Sequence, residues 1–164
     1  IATAERLVLP GVGAAAPVMD TLRASGIDVL LRGLKTPLLG VCIGMQVLFE
    51  RSEEGDVAGL GLLRGHVQKL PASPGIRMPH MGWNRLARRV DSPLLDGIDE
   101  GAQAYFVHSY GVIGSADAIA ETEHGSTFCA AVARDNIAGA QFHPERSGAV
   151  GARFLRNFLS WNPA

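Results

Sequence analysis

The stretch Pro37-Leu38-Leu39-Gly40-Val41-Cys42-Ile43-Gly44-Met45-Gln46 decides how this chain is read. Its first five residues are a short apolar run, the pattern of a buried strand. The run enters Cys42 directly, and residues 44–51 then take up a helical pattern. Strand, G-x-C-x-G and helix together make the cysteine counterpart of a nucleophile elbow. Glycines at 40 and 44 are needed because the strand-to-helix turn leaves no room for side chains beside the nucleophile. A thiol at a helix N-terminus meets free N–H groups and the positive end of the dipole, which favour thiolate. The N–H of Ile43 is placed to donate to an oxyanion. Against this stands the plain reading of Cys42 as a small buried hydrophobe.

On the N-terminal side, residues 6–10 (RLVLP) form a second buried strand that ends at a Pro-Gly turn. Residues 17–34 place Val18, Leu22, Ile27, Leu30 and Leu31 at helical spacing. On the C-terminal side, residues 61–141 change to short strand-like runs, clearest at 104–107, 118–123, 127–134 and 138–142. Residues 148–161 carry Val150, Phe154, Leu155, Phe158 and Leu159 on one face of a closing helix. The order strand, helix, strand, helix predicts an α/β fold with a mainly parallel sheet and an antiparallel insertion.

At 164 residues the chain suits one domain, residues 1–164, with a single core. Fifteen basic and sixteen acidic residues give a formal charge of −1, which offers no electrostatic capture of nucleic acid or an anionic membrane. No apolar run is long enough to span a bilayer. Two distant cysteines are too few for a disulfide scaffold, so a cytoplasmic location is expected. The histidines and cysteines show no metal-ligand spacing and no phosphate-binding glycine loop is present, so neither metal nor cofactor is expected. Cys129 reads as core, His66 and His124 as surface, and His80 as structural or interfacial.

Two further segments bear on Cys42. Gln141-Phe142-His143-Pro144-Glu145 follows an apolar strand and offers a base and a carboxylate to orient it, as a thiol nucleophile requires. Pro10-Gly11-Val12-Gly13 ends the first strand. Its glycines free the peptide at Val12 to approach a ligand, so that the N–H of Val12 or Gly13 could be a second oxyanion donor.

PGVG, GVCIGMQ and QFHPE, in that order and at these separations, resemble the class I (triad-type) glutamine amidotransferases. Pro79-His80-Met81-Gly82-Trp83-Asn84 and Tyr105-Phe106-Val107-His108-Ser109-Tyr110 narrow the resemblance to the glutaminase subunits of imidazole glycerol phosphate synthase. The resemblance implies a flavodoxin-like sheet flanked by helices and a Cys42–His143–Glu145 triad. It implies oxyanion donors at Val12, Gly13 and Ile43, and a glutamine site at Gly11, Gln46, His108, Ser109 and Tyr110. Its implied partner is a (β/α)8-barrel cyclase subunit, met at Trp83, Tyr105 and Arg146, where the family commonly has lysine at the last position. Free glutaminase is expected to be slow until the partner's ligand reorients the Val12 peptide.

The family usually begins with a further strand–helix–strand unit of roughly thirty residues. The domain is therefore expected to be incomplete at its N-terminus, with an exposed sheet edge and poor stability on its own. Two other readings stay open from the residues alone: a glutaminase serving another synthase, such as one for anthranilate or pyridoxal phosphate, or a non-catalytic interaction fragment.

Overall fold

The computed structural model describes residues 3–72 and 74–163. The chain opens with β1 (Leu7–Leu9), α1 (Ala15–Ala24) and α2 (Ile27–Arg32), followed by β2 (Leu38–Val41) and α3 (Ile43–Gln46). Short strands β3 (Arg51–Ser52), β4 (Val57–Ala58) and β5 (His66–Lys69) come next, then β6 (His80–Arg85) and β7 (Ala87–Arg88). The second half holds β8 (Gln103–His108), β9 (Tyr110–Gly111), β10 (Ala118–Glu123), β11 (Thr127–Arg134), β12 (Ile137–Ala140) and α4 (Gly148–Ser160).

Six strands form the main sheet in the order β1-β2-β12-β11-β10-β7. β1, β2 and β12 are parallel, whereas β11, β10 and β7 extend the sheet antiparallel. The antiparallel segment expected as an insertion thus continues the same sheet, through the tight β10–β11 and β11–β12 connections. β2 and β12 are buried along their whole length, as their unbroken apolar runs require. Phe106, Phe128, Phe142, Phe154 and Phe158 are fully buried, and the Phe142 and Phe154 rings meet at 5.2 Å, seating α4 against the sheet. Among the described residues β1 pairs on one side only, with β2, and Val8 on it is half exposed.

Two helices differ from their sequence pattern. Residues 17–34 do not make one helix, because Gly26 turns left-handed (φ 69°) and the Ser25 hydroxyl caps back onto the carbonyls of Thr21 and Leu22. This separates α1 from α2. The helix expected over 44–51 ends at Gln46. The carbonyls of Val47, Leu48 and Phe49 accept instead from the N–H groups of Leu60, Leu62, Leu63 and Gly61, so the following loop takes the bonds a longer helix would have used.

The ribbon of β6 and β8 is separate from the main sheet and is central to the site. Its register pairs Trp83 with Tyr105 and His80 with His108. Alternation along the ribbon sends Phe106 and His108 into the interior and leaves Met81 and Trp83 exposed.

Candidate active site

Cys42 sits one residue beyond β2, with a backbone (φ 54°, ψ −114°) that an L-residue rarely adopts. Tight packing on both sides holds this turn. A Cβ on Gly44 would lie 1.8 Å from the Leu9 carbonyl oxygen, and one on Gly40 would lie 2.5 Å from the Gly44 carbonyl oxygen. Only glycine fits either position, which is why the elbow has the G-x-C-x-G form.

The parallel β2–β12 ladder aligns Val41 with Ala140, and the Cys42 N–H donates to the Ala140 carbonyl at 2.8 Å. Residues 42 and 141–143 therefore leave adjacent strand ends together, although about a hundred residues separate them in sequence. This is the carboxyl edge of a parallel sheet, where such folds place their ligands.

His143 Nδ1 lies 2.7 Å from Glu145 Oε1. A carboxylate can only accept, so Nδ1 carries the proton and Nε2 the lone pair. Nε2 is buried and has no hydrogen-bond partner among the described residues. The loop is clamped from below: His143 N–H donates to the Tyr105 carbonyl at 2.9 Å, while the Ser147 hydroxyl donates to the His143 carbonyl at 2.7 Å and accepts from the Tyr105 N–H at 2.9 Å.

Cys42, His143, Ile43, Gln46, Val12 and Gly13 all face one cavity of about 420 Å³, whose far wall is Val107–Tyr110. The size suits a small polar metabolite. The Ile43 N–H faces the Cys42 sulfur and favours its anion. Burial works the other way and is stronger. With Glu145 and Glu54 adding to it, it pushes the thiol up to about 11. The elbow thus does not yield a resting thiolate, as the helix N-terminus alone suggested, because α3 has only four residues and the sulfur is desolvated. Cys42 needs its base. At pH 7.5 iodoacetamide should alkylate it more than about 100-fold slower than free cysteine, with the rate still rising from pH 9 to 11. Rapid modification at neutral pH, followed by peptide mapping to Cys42, would contradict this.

Gln46 is held by two acceptors: its Nε2 donates to the Tyr110 carbonyl at 2.8 Å and to Gln141 Oε1 at 3.0 Å. With both hydrogens used, its Oε1 is buried and has no hydrogen-bond partner among the described residues. Gln141 Nε2 in turn lies 3.9 Å from Cys42 Sγ.

Residues 2–161 match the family described as glutamine amidotransferase class-I. The chain belongs to this family. It is 56% identical over 156 residues to the imidazole glycerol phosphate synthase subunit HisH of Xanthomonas axonopodis pv. citri, covering 95% of this chain and 78% of that protein. The HisH subunit of Xylella fastidiosa (strain Temecula1) is 54% identical over 161 residues, which is 98% of this chain and 80% of the relative. In three dimensions the fold matches a solved glutamine amidotransferase with a TM-score of 0.70, over 94% of this chain and 77% of that one, at 20% identity.

Within this amidotransferase Cys42, His143, Val12, Gly13, Ile43, Gln46, His108, Ser109 and Tyr110 line one cavity, while Glu145 lies outside it and is joined to it by the bond to His143. Gly11 faces a neighbouring, more apolar hollow lined by Val8, Pro10 and Leu155 rather than the cavity that holds Cys42. It packs against the elbow instead, where a Cβ would lie 3.0 Å from the Gly44 nitrogen. Two residues that the sequence reading gave no role belong to the site. Gln141 is fully buried between Gln46 and Cys42; its place in QFHPE was the available signal. Glu54 lines the cavity from the turn between β3 and β4, with one carboxylate oxygen 3.1 Å from the Ala15 N–H at the start of α1. Nothing in its local sequence marks it. Among the described residues no His/Cys/Asp/Glu group has the arrangement of a metal site, and no helix is long and apolar enough to cross a membrane.

Proposed function

We propose that this chain is the glutaminase subunit of imidazole glycerol phosphate synthase, hydrolysing L-glutamine to L-glutamate and ammonia and passing the ammonia to a cyclase subunit. The carrying observation is that His143, its Nε2 lone pair set by the Glu145 bond, lines one cavity of about 420 Å³ with the Cys42 thiol. The names of the relatives at 54–56% identity support the choice of synthase.

Sγ attacks the side-chain amide carbon of glutamine while its proton passes to His143 Nε2, so the high thiol pKa is met by transfer within the attack rather than by prior ionisation. The N–H of Ile43 and that of Val12 or Gly13 stabilise the oxyanion. Collapse breaks the C–N bond, and His143 returns the proton to the leaving ammonia. Water then attacks the thioester with His143 again as base, freeing glutamate and the thiol. Glu145 keeps His143 in the tautomer that makes both steps possible.

Substrate recognition follows from the same wall. Gln46 Oε1 is an unpaired buried acceptor, suited to an N–H of the substrate, and the backbone of His108, Ser109 and Tyr110 lines the opposite side. Glu54 puts a carboxylate on a wall where the described residues include no lysine or arginine, which fits the α-ammonium of an amino acid. Glu54→Gln should raise KM for glutamine about 10- to 100-fold with a much smaller change in kcat, as loss of a charge-assisted bond to bound substrate predicts. A changed kcat at constant KM would remove Glu54 from substrate binding.

We assign the partner contact to the outer face of the β6–β8 ribbon. Trp83 is half exposed and meets Tyr105 edge-on at 6.2 Å, and the Arg146 guanidinium sits 5.1 Å from the centroid of the Tyr105 ring. An exposed tryptophan beside a partly buried tyrosine and an arginine supplies the residue types that anchor interfaces. The Tyr105 backbone is bonded to His143, so this face adjoins the triad. Both cysteines are free and buried, in keeping with a reducing, cytoplasmic setting, and residues 1–164 are taken as one amidotransferase domain.

The test is ammonia release from glutamine with and without a cyclase subunit and its nucleotide substrate. Equimolar glutamate and ammonia, strongly stimulated by that partner, is the expected result. Stimulation only by a different synthase would reassign the pathway, and release unaffected by any partner would remove the subunit role.

A further inference from the structure

Behind the cavity, a run of side-chain hydrogen bonds has a single consistent direction. His108 Nδ1 lies 2.8 Å from the Tyr110 carbonyl oxygen, which only accepts, so Nδ1 is the protonated nitrogen and Nε2 holds the lone pair. That Nε2 lies 3.0 Å from His80 Nδ1, which must then donate, leaving His80 Nε2 as an acceptor. The far end can be read independently. Asn84 Nδ2 donates to the Glu123 carbonyl at 2.8 Å, and Asn84 Oδ1 accepts from the Arg85 N–H at 2.8 Å, which fixes the orientation of that amide. The same Nδ2 lies 3.2 Å from His80 Nε2 and can only donate to it. Both ends require the same two tautomers.

A proton added to either ring would set two N–H groups against each other. Burial holds both rings neutral, lowering His80 to about 3 and His108 to about 4. The ionisable side chains acting on the pair, His124 and His143, oppose a positive charge there as well. His124 stacks on His80 with centroids 4.1 Å apart, so it is not the free surface residue its sequence surroundings suggested. The relay ends on the carbonyl that also accepts from Gln46 Nε2, and Gln46, whose buried Oε1 has no partner among the described residues, lines the cavity.

We propose that His80 and His108 are positioning residues, a neutral relay protonated on Nδ1 in both rings that holds the Tyr110 carbonyl and through it the Gln46 amide in the orientation that meets glutamine. The proposal rests on the glutaminase reading for its substrate, but the relay itself can be observed without any turnover. Neutral histidine in water prefers the Nε2–H form, so Nδ1–H at both rings, in addition to the His143 ring that Glu145 sets, is a distinctive signature.

Two measurements on the protein in complex with its cyclase partner decide the matter. Long-range 1H–15N correlation of histidine-labelled protein at pH 7 should assign Nδ1–H to both rings; an Nε2–H or doubly protonated ring at either residue overturns the proposal. His80→Phe keeps an aromatic ring against Phe106 and His124 but cannot donate. It should raise KM for glutamine about tenfold, the effect of a buried acceptor left unpaired, with kcat within about twofold. His80→Asn replaces the donor at the Nδ1 position and should recover most of that loss. Wild-type KM in the Phe variant, or equal losses in both variants, makes His80 a packing residue and overturns the positioning role. If the Phe variant fails to fold, a wild-type-like KM for His80→Asn together with the two tautomers sustains the proposal, and a KM raised about tenfold there rejects it. Wild-type protein that shows both tautomers yet releases no ammonia defeats the glutaminase reading and the positioning role with it, while leaving the relay as a structural feature.

Discussion

Cys42→Ala should abolish glutamine hydrolysis, a loss of about 10⁴-fold or more, while leaving the fold intact. Loss of a nucleophile in a His-assisted site removes nearly all of the chemistry, and the residual rate comes from binding and oxyanion stabilisation alone. The structure adds a reason to expect no substitute route. Among the described residues the hydroxyls on the cavity wall are those of Ser109 and Tyr110, and neither sits at the strand-to-helix turn beside the Ile43 N–H. Alanine removes one buried sulfur from a turn fixed by glycine contacts and by the Cys42 N–H bond to Ala140, so thermal melting should change little. The discriminating control is the cyclase reaction run with added ammonium salt. The variant complex should perform as well as wild type there and fail with glutamine. Glutamine-dependent activity surviving in Cys42→Ala would show that the chain contributes no nucleophile and would favour a non-catalytic role.

Gly44→Ala should be among the most damaging single methyl groups in the protein, alongside one at Gly151, whose Cβ would stand 1.8 Å from the Pro144 carbonyl oxygen. The Cβ added at Gly44 would stand 1.8 Å from the Leu9 carbonyl oxygen and 2.8 Å from its carbonyl carbon. Both are backbone atoms of an edge strand, so no side-chain rotation relieves the clash. Either β1 moves off the elbow, weakening its ladder with β2, or the turn at Cys42 changes its dihedral angles. The expected cost is about 3 kcal/mol or more, at the upper end for overpacked cores. For a domain of this size that is a fall in Tm of about 6–12 °C, with activity lost even in the fraction that folds. A comparison with Gly13→Ala, whose Cβ would meet nothing within 4 Å, separates contact from backbone preference. That residue has φ 100°, so its substitution carries only the strain of a disfavoured conformation. Similar melting temperatures for the two variants would show that close packing of the elbow on β1 is not what demands glycine at 44.

Much of the site could be read along the chain because its chemistry is local. An elbow needs glycines two positions either side of its nucleophile, and an H-P-E turn sets a base and a carboxylate two residues apart. Both are short-range demands that leave a mark in sequence. The strands β2, β10, β11 and β12 were legible for the same reason, since buried strands are apolar runs bounded by turn residues. The helix endings were not. Residues 47–51 keep a helical pattern, yet the carbonyls of Val47, Leu48 and Phe49 are claimed by the loop that follows. No local propensity records that competition.

By itself the sequence determined the α/β class, the strand-to-helix turn at Cys42, and the pairing of His143 with Glu145, because each depends on residues within a few positions of one another. Only the tertiary structure decided that Cys42 rests as a thiol at about 11, that Glu54 enters the cavity while Gly11 leaves it, and that His80 and His108 point their protons one way. Those outcomes depend on burial and on hydrogen-bond partners brought from distant parts of the chain, and desolvation and long-range contact have no expression in the order of neighbouring residues.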